Sequence, residues 1–590
     1  MHHAQVTRNP PQVHPIGIQS QRLLPYVVRI ALLFRLKGVF VSTALTLVTL
    51  ATRLAATHFH LSVSVMAVWT AYHFLIVALS ILLATPARLL TVGFFTLVRW
   101  IFVLILERFL DTLGVTMRVL LALTLSLLFC VFISASAKDK PNTTPPVTPV
   151  FGVVEAYYRP TLATELGVSW DRVIFAWNYF QPNNTNEFDT SAVPDEYLNS
   201  DHQANRQVVG LIKGTPAWAS PSGSVGAVPD NIDLPYDDPQ NYYGAFVTRL
   251  VRHYSARGIH DWIIMNEPDV REGQGTVEFQ GDVHDYYAIL KVAYQAAHAA
   301  DPEAHIQIAG MTWWSDWTEG RRSYLYRLLG IISTDKHAAE NNWYFDGISI
   351  HLYFTTSSVW RIIGAYRQML ITFGLTDKEM WMDEYNASPR LDPLSPYDAP
   401  FEINLDQQAD FIVQASATAL AAGVDRLAVY RLFDDHFEPF VPGQKESWGL
   451  VRYDDSLRPA FYAYQQVINR FAGSTNIQRF NVPEATVITF TFPDSTLYVM
   501  WNDTYSTGKF LIHGGGIDNS VSVFDSTGVA TIEPLVSQAG FSLISVDVPP
   551  AKKIDRPWIV VSGPVRMVQL PGPLRTIWFQ HNNEKPDQLN

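Results

Sequence analysis

The chain has 590 residues, too many for a single domain, and it combines 48% hydrophobic residues with only 17% charged ones. That balance is typical of a membrane portion joined to a soluble portion. A net charge of −12 without a long basic run argues against nucleic acid as a partner. The single cysteine, Cys130, excludes an intrachain disulfide framework and a cysteine-based metal site. The fold must therefore be stabilised by a packed core.

The N-terminal quarter of the chain predicts a membrane anchor. Residues 1–24 are polar and predict a disordered tail, whereas residues 25–136 are dominated by apolar runs. The runs at 61–84 and 115–134 reach the roughly 20 residues that cross a bilayer, and those at 38–52 and 91–106 are weaker. These runs predict three or four crossings. Basic residues near the start favour a cytoplasmic N-terminus, and these are Arg22, Arg29, Arg35 and Lys37.

The rest of the chain is expected outside the cytoplasm of a multi-pass cell-membrane protein. An inside start with an outside finish requires an odd number of crossings, which four spans would contradict. Residues 137–149 are rich in proline and threonine and predict an extended linker that holds the next domain away from the bilayer.

Residues 150–475 alternate between strand and helix patterns. The predicted strands are 151–156, 172–177, 208–213, 262–265, 306–310, 347–351, 380–383 and 427–430. The clearest predicted helices are 241–256, 282–300, 359–373, 405–422 and 459–471. Eight strands with intervening helices in this length predict an α/β fold, a (β/α)8 TIM barrel. A doubly wound open sheet is the alternative, but it needs a glycine-rich turn after the first strand, where the sequence has YYRP at 157–160.

Residues 476–590 differ in character and predict a β-sandwich-like domain followed by a tail. Segments 486–491, 496–501, 520–525 and 540–546 are rich in β-branched and aromatic residues, as antiparallel strands are. The run HGGG at 513–516 predicts a turn. We expect the residues from about 567 onwards to be loosely ordered.

Two glutamates stand at the ends of predicted barrel strands. The stretch 261–268 (DWIIMNEP) is a buried strand that ends in Asn266 and Glu267, locked by a proline. A second strand, within 379–385 (EMWMDEY), ends in Glu384. Active sites of such barrels lie at the C-terminal ends of the strands. Two carboxylates placed there are what the hydrolysis of a glycosidic bond requires.

Aromatic, amide and basic side chains follow the other predicted strands. Arg172 lies in strand two, and His351 and Tyr353 end strand six. Three tryptophans stand at or beyond strand ends, namely Trp177, Trp218 and Trp313. Aromatic rings can pack against the C–H faces of sugars, and polar groups can bind their hydroxyls, so this composition predicts a carbohydrate site. Trp177 and Trp218 are the preferred platforms, although each aromatic residue alone is more often core or rim than ligand contact.

These residues together resemble glycoside hydrolase clan A, and most closely its family 39 or the related family 5. The resemblance covers residues 150–475 and rests on LGVSWDR at 166–172, Trp177 with QP at 181–182, GTPAW at 214–218, NEP at 266–268, HLY at 351–353 and DE at 383–384. It implies a retaining glycosidase, β-xylosidase-like or β-glycosidase-like, without a metal or organic cofactor.

The resemblance also implies roles. Glu267 would be the general acid/base and Glu384 the nucleophile, with Arg172 and Tyr353 hydrogen-bonded to Glu384. Asn266 would bind the sugar 2-hydroxyl and His351 would line the same subsite. Arg172 has an alternative reading as a structural salt bridge inside the barrel, and both readings are compatible.

One position departs from the family pattern. Clan A barrels often carry a tryptophan at the end of strand eight, where this chain has YRLF at 430–433. Trp448 in the following loop is the expected substitute; in the alternative, Arg431 meets an acidic sugar.

The sequence therefore predicts a membrane-anchored, extracytoplasmic retaining glycosidase with a carbohydrate substrate and a lipid bilayer as its partners. Two alternatives remain open at this point. One is a carbohydrate-binding barrel without catalysis, and the other is a sugar-sensing membrane protein or transporter.

Overall fold

A computed structural model describes residues 150–395, 398–436, 445–482, 484–517, 519–538, 540–554, 558–581 and 587–588. The predicted tail, membrane spans and linker lie outside these residues. Within the described ranges, no helix combines the length and the apolar character that a membrane crossing requires.

Eight parallel strands close into a barrel in chain order, each paired with the next and the eighth with the first. They are β1 (Phe151–Val154), β2 (Trp170–Ala176), β3 (Gln207–Lys213), β4 (Asp261–Ile264), β5 (His305–Met311), β6 (Gly347–Tyr353), β7 (Glu379–Asn386) and β8 (Arg426–Val429). The predicted (β/α)8 barrel is confirmed, and the doubly wound alternative is wrong because the sheet has no open edge.

Helices connect consecutive strands and cover the outside of the barrel. They are α1 (Pro160–Leu166), α2 (Trp177–Phe180), α3 (Asp195–Gln203), α4 (Tyr242–Ser255), α5 (Val283–Ala300), α6 (Trp314–Thr318), α7 (Tyr324–Ile332), α8 (Thr356–Thr372), α9 (Leu405–Ala421) and α10 (Pro459–Phe471). Capping residues mark where some of these helices begin. At the start of α9, for example, the side chain of Asn404 accepts a hydrogen bond from the backbone N–H of Gln407 in a capping box.

Large side chains fill the barrel interior. Trp170 and Trp381 are fully buried there, with ring centroids 6.0 Å apart. Gly152 makes room for one of them, because a Cβ at this position would lie 2.3 Å from the indole of Trp170. The interior is therefore a packed core, and the strand ends are where side chains can meet a ligand.

After two short strands, β9 (Asp435–His436) and β10 (Lys445–Glu446), ten antiparallel strands form a second domain. These are β11 (Asn476–Val482), β12 (Ala485–Thr491), β13 (Ser495–Asn502), β14 (Gly508–His513), β15 (Ser520–Phe524), β16 (Ala530–Gln538), β17 (Phe541–Val548), β18 (Arg566–Pro571), β19 (Ile577–His581) and β20 (Asp587–Gln588). The predicted antiparallel β domain is confirmed, as is the turn that follows His513.

The expectation of loose order after residue 567 is wrong for residues 567–581, which the structure describes. β18 pairs with β13 in the middle of the sheet, and β19 pairs with β14. The partner strands β13 and β14 lie far away in the sequence, so no local sequence pattern predicts the pairing. The sheet packs on the barrel through α9 and α10, where Phe471 stacks on Phe490 at 4.1 Å and the amide of Gln414 donates to the carbonyl of Gly563 at 2.8 Å.

Candidate active site

Glu267 stands just beyond β4 in a turn of unusual backbone geometry. Met265 and Glu267 have φ values of 64° and 41°, which non-glycine residues rarely adopt. Neighbouring strands hold this turn in place. The backbone N–H of Met265 donates to the carbonyl of Ile212 at 2.9 Å, and that of Glu267 donates to Gly310 at 3.1 Å. A strained turn that is fixed in this way is characteristic of a functional site.

Glu384 lies in β7 next to a second carboxylate, Asp383. Consecutive strand residues normally point to opposite faces of the sheet. Here the pairing of β7 with β8 shifts register between Met382 and Tyr385, and that of β6 with β7 shifts before His351. A register shift of this kind changes the direction in which side chains point. As a result both Asp383 and Glu384 reach the same guanidinium.

That guanidinium belongs to Arg172 in β2, which is buried inside the barrel. It donates to Asp383 Oδ2 at 3.1 Å and makes a short ion pair with Oε1 of Glu384. The hydroxyl of Tyr353 donates to the other oxygen of Glu384, Oε2. Glu384 therefore has a hydrogen-bond donor on each of its two oxygens.

His351 connects the two glutamates. Its Nδ1 lies 2.7 Å from Oε1 of Glu267 and 3.3 Å from Oε2 of Glu384. On the other side of the ring, Nε2 lies 3.5 Å from Asp383. Gly310 gives the imidazole its space, because a Cβ there would lie 1.8 Å from Nε2. One oxygen of each glutamate and a nitrogen of His351 lie within 4.8 Å of one another.

The electrostatic environment separates the two glutamates. Burial raises the pKa of Glu267 and outweighs the opposing hydrogen bond from His351. Burial would also raise the pKa of Glu384, but the charges of Arg172 and His351 and the hydrogen bond from Tyr353 lower it to about 2. Near neutral pH, Glu384 is therefore ionised, while Glu267 favours its protonated form more than an ordinary glutamate does.

The environment of His351 favours its cationic form. Burial would lower the pKa of its imidazole, but the negative charges of Glu384 and Asp383 raise it well above its ordinary value. Arg172 and His351 thus both favour the ionised form of Glu384, whereas burial keeps the pKa of Glu267 above its ordinary value.

The same cluster has the ligand types of a metal site, since Glu267, His351 and Glu384 each offer one donor atom. A metal requires a deprotonated imidazole, whereas the buried anions hold the proton on His351. Arg172 also already neutralises Glu384. The residues present fit a pair of acid and base groups better than a cation site.

Four other predicted residues lie in the segments that follow barrel strands. Asn266 is buried, and its Oδ1 makes no hydrogen bond among the described residues. Trp448 is partly buried and its ring lies 4.9 Å from that of Tyr353 in an edge contact. Trp218 is partly buried and donates from Nε1 to the carbonyl of Gln181 at 2.7 Å. Trp313 follows β5 with a φ of 68° and packs near Trp317.

Trp177 needs a correction. We expected its ring to form a sugar platform, yet it is only 1% exposed and stacks on Phe246 at 5.3 Å. Its Nε1 donates to the side chain of Gln181 at 2.7 Å. Helix α2 begins at this residue and turns the ring towards α4 instead of the barrel mouth. Trp177 is therefore a core residue with no ring face available to a sugar.

Arg431 needs a correction as well. We expected it to meet an acidic sugar, but its side chain is 2% exposed and it pairs with the buried carboxylate of Glu155. Closure of the barrel brings these two residues together, because β1 and β8 are neighbours. Because the side chain of Arg431 is buried and paired with Glu155, it presents no exposed donor to a substrate carboxylate.

Two carboxylates with structural importance to the site were not predicted. Asp383 accepts a hydrogen bond from Arg172 and lies 3.5 Å from Nε2 of His351, and its only sequence signal is its position beside Glu384. Asp269, two residues after Glu267, accepts hydrogen bonds from the backbone of Thr312 and Trp313 at 3.0 and 3.1 Å. It thereby holds the loop after β5, a role that depends on contacts across the barrel rim.

No protein-family model and no curated protein sequence matches the chain. Among solved structures, it is similar to a family 39 glycoside hydrolase from the gut symbiont Bacteroides cellulosilyticus WH2, with a TM-score of 0.50 and 16% identity over 71% of this chain and 80% of that chain. It also matches a family 39 β-xylosidase from Caulobacter crescentus (TM-score 0.47, 12% identity, 74% and 98% covered) and a family 30 endoxylanase from Clostridium papyrosolvens C71 (0.45, 13%, 73% and 98%). The resemblance to clan A glycoside hydrolases that the sequence motifs indicate is thus confirmed at the level of the fold.

Proposed function

We propose that this chain is a retaining glycoside hydrolase that cleaves β-glycosidic bonds of poly- or oligosaccharides. One observation carries the proposal. Oxygens of Glu267 and Glu384 lie within 4.8 Å of each other, and their pKa values are shifted in opposite directions. Retaining enzymes need carboxyl groups about 5–5.5 Å apart, whereas inverting enzymes need about 6.5–9.5 Å to fit a water between them.

The first step forms a glycosyl–enzyme ester. Ionised Glu384 attacks the anomeric carbon while Glu267 gives its proton to the departing glycosidic oxygen. Arg172 and Tyr353 orient the carboxylate of Glu384 and keep it ionised. Because Glu384 loses its negative charge as the ester forms, Glu267 then ionises more readily.

The second step returns the enzyme to its starting state. Glu267, now a carboxylate, takes a proton from a water that attacks the anomeric carbon from the opposite side to Glu384. The carbon is inverted twice, so the product keeps the β configuration. His351 stays in contact with both glutamates through Nδ1 and stabilises whichever of them is charged.

Asn266 is proposed to bind the sugar 2-hydroxyl. Its buried Oδ1 makes no hydrogen bond among the residues described, and burying an unpaired polar atom costs about 1–3 kcal/mol. A sugar hydroxyl beside Glu267 would satisfy that atom. Trp448 is proposed as the platform under the same ring, because it contacts Tyr353, which in turn binds Glu384.

The proposed substrate class is β-xylosides or related β-glycosides, on the motifs shared with family 39. The proposed location is the outer face of a cell membrane, with residues 25–136 as a multi-pass anchor. The apolar runs and the basic residues of the N-terminal segment are the support for that location.

Hydrolysis of aryl β-xylosides and other aryl β-glycosides by the full chain tests the proposal. We expect Glu384→Ala to abolish turnover and azide to restore it with a glycosyl azide of inverted configuration. Glu267→Gln should lose about 10²–10⁴-fold on substrates with poor leaving groups. Glu379→Gln is the matched control, since Glu379 begins the same strand at its opposite end. Sugar binding without turnover across the whole panel would overturn the catalytic assignment.

A further inference from the structure

A cleft of ≈ 570 Å³ lies between the barrel and the β domain. Trp360 and Arg361 of α8 line it, together with Thr418 of α9. Helix α8 begins at Thr356, three residues after Tyr353, and three residues span at most about 11 Å of extended chain. The cleft therefore starts close to the end of the barrel that carries the two glutamates. Its size is within the range of about 300–1,000 Å³ that ligand sites occupy.

Aromatic rings form one part of the lining. Trp558 and Tyr505, both in loops that follow strands of the β domain, are 47% and 46% exposed. Trp360 lies partly buried on the barrel side, with the guanidinium of Arg479 4.8 Å from its ring centroid. Large aromatic rings left this exposed around a concavity are typical of a binding surface.

Polar groups form the other part. Thr418 is only 3% exposed, and its hydroxyl makes no hydrogen bond among the described residues although it lines the cleft. Asp503 is held in one orientation, because it accepts hydrogen bonds from Thr486, Trp501 and Ser562 at 2.7, 3.1 and 2.5 Å. The unsatisfied hydroxyl of Thr418 points to a ligand that carries hydrogen-bonding groups of its own.

We propose that this cleft binds a sugar residue of an oligosaccharide and acts as an accessory subsite for the substrate of the barrel. A pyranose ring combines an apolar C–H face, which suits Trp558 and Tyr505, with hydroxyls that can reach Thr418 and Arg361. A purely apolar ligand would leave the hydroxyl of Thr418 unsatisfied. The proposal rests on the proposed function only in naming β-linked oligosaccharides as the ligand.

Calorimetric titration of the full chain tests the inference, with Glu384→Gln introduced to prevent turnover. Xylohexaose and cellohexaose serve as probes. We expect Trp558→Ala to raise the Kd of the probe that binds by roughly five- to tenfold, which corresponds to the loss of about one ring contact. Trp558→Phe should restore most of the affinity. Phe541→Ala removes an aromatic ring of the same domain that is 56% exposed and outside the cleft, so it should leave the Kd unchanged.

An unchanged Kd in Trp558→Ala, or failure of both hexasaccharides to bind, overturns the inference. Hydroxyl-radical footprinting of the chain with native Trp558 provides a second readout in case the alanine variant does not fold. A bound hexasaccharide should protect Trp558 and Tyr505 from oxidation while Phe541 stays unprotected. The proposed function fails on a different result, namely turnover of aryl glycosides that persists in Glu384→Ala.

Discussion

The hydroxyl of Tyr353 provides a direct test of how Glu384 keeps its charge. Glu384 is buried, which by itself would raise its pKa, yet its pKa is about 2 because Arg172, His351 and Tyr353 stabilise the anion. Tyr353→Phe removes only the oxygen that donates to Glu384 Oε2. A hydrogen bond to a charged group contributes about 1.5–3 kcal/mol, which corresponds to roughly one to two pKa units.

We therefore expect the pKa of Glu384 to rise from about 2 to roughly 3–4 in Tyr353→Phe. The nucleophile must be ionised, so activity is lost as pH falls through this pKa, and the acidic limb should move to higher pH. The dependence of kcat/KM on pH reports groups of the free enzyme, and an aryl β-xyloside is a suitable substrate. The alkaline limb belongs to Glu267 and should move much less.

Tyr385→Phe is the matched control for this measurement. Tyr385 follows Glu384 on the same strand and is fully buried, but its hydroxyl is hydrogen-bonded to Ser416 at 2.6 Å on the outer side of the barrel. Its loss should lower thermal stability without moving the acidic limb. The reasoning is refuted if Tyr353→Phe leaves that limb in place, or if both variants shift it equally.

Two further substitutions test other contacts. Gly310→Ala places a Cβ 1.8 Å from Nε2 of His351, so it should displace the imidazole and lower kcat at least about 100-fold. The control is Gly330→Ala, whose added Cβ meets nothing within 4 Å and should leave kcat unchanged. Equal kcat values in the two variants would show that His351 is not required. Burial raises the pKa of Asp410 from 3.8 to about 7. This shift of roughly three units corresponds to about 4 kcal/mol of folding free energy, which is lost as pH rises from about 4 to about 7 because the buried carboxyl must then ionise. Asp410→Asn keeps an acceptor for the N–H of Val565, and we expect it to raise the thermal midpoint at pH 8 more than at pH 4. A gain of the same size at both pH values would contradict the assigned titration.

Local patterns were sufficient to predict the barrel and its two glutamates. Short apolar runs separated by helical periods indicated all eight strands, and chain order then fixed the topology because a parallel barrel has one simple closure. Parallel strands place all their C-terminal ends at one rim, so Glu267 and Glu384 were expected at the same end of the barrel although they are 117 positions apart in the sequence (384 minus 267). Arg172 and Tyr353, which donate hydrogen bonds to Glu384, were predicted from the family resemblance.

What the tertiary structure alone decided is where side chains point and which distant groups pair. Trp177 has the same strand-end position as a sugar platform would have, but the packing of α4 against α2 determines that its ring is buried. Arg431 and Glu155 each follow a barrel strand, and only closure of β8 on β1 makes them an ion pair. Strands β18 and β19 depend on partners some 70 residues earlier. Sequence periodicity reports the face and span of one element, whereas burial and charge pairing depend on the neighbours that folding supplies.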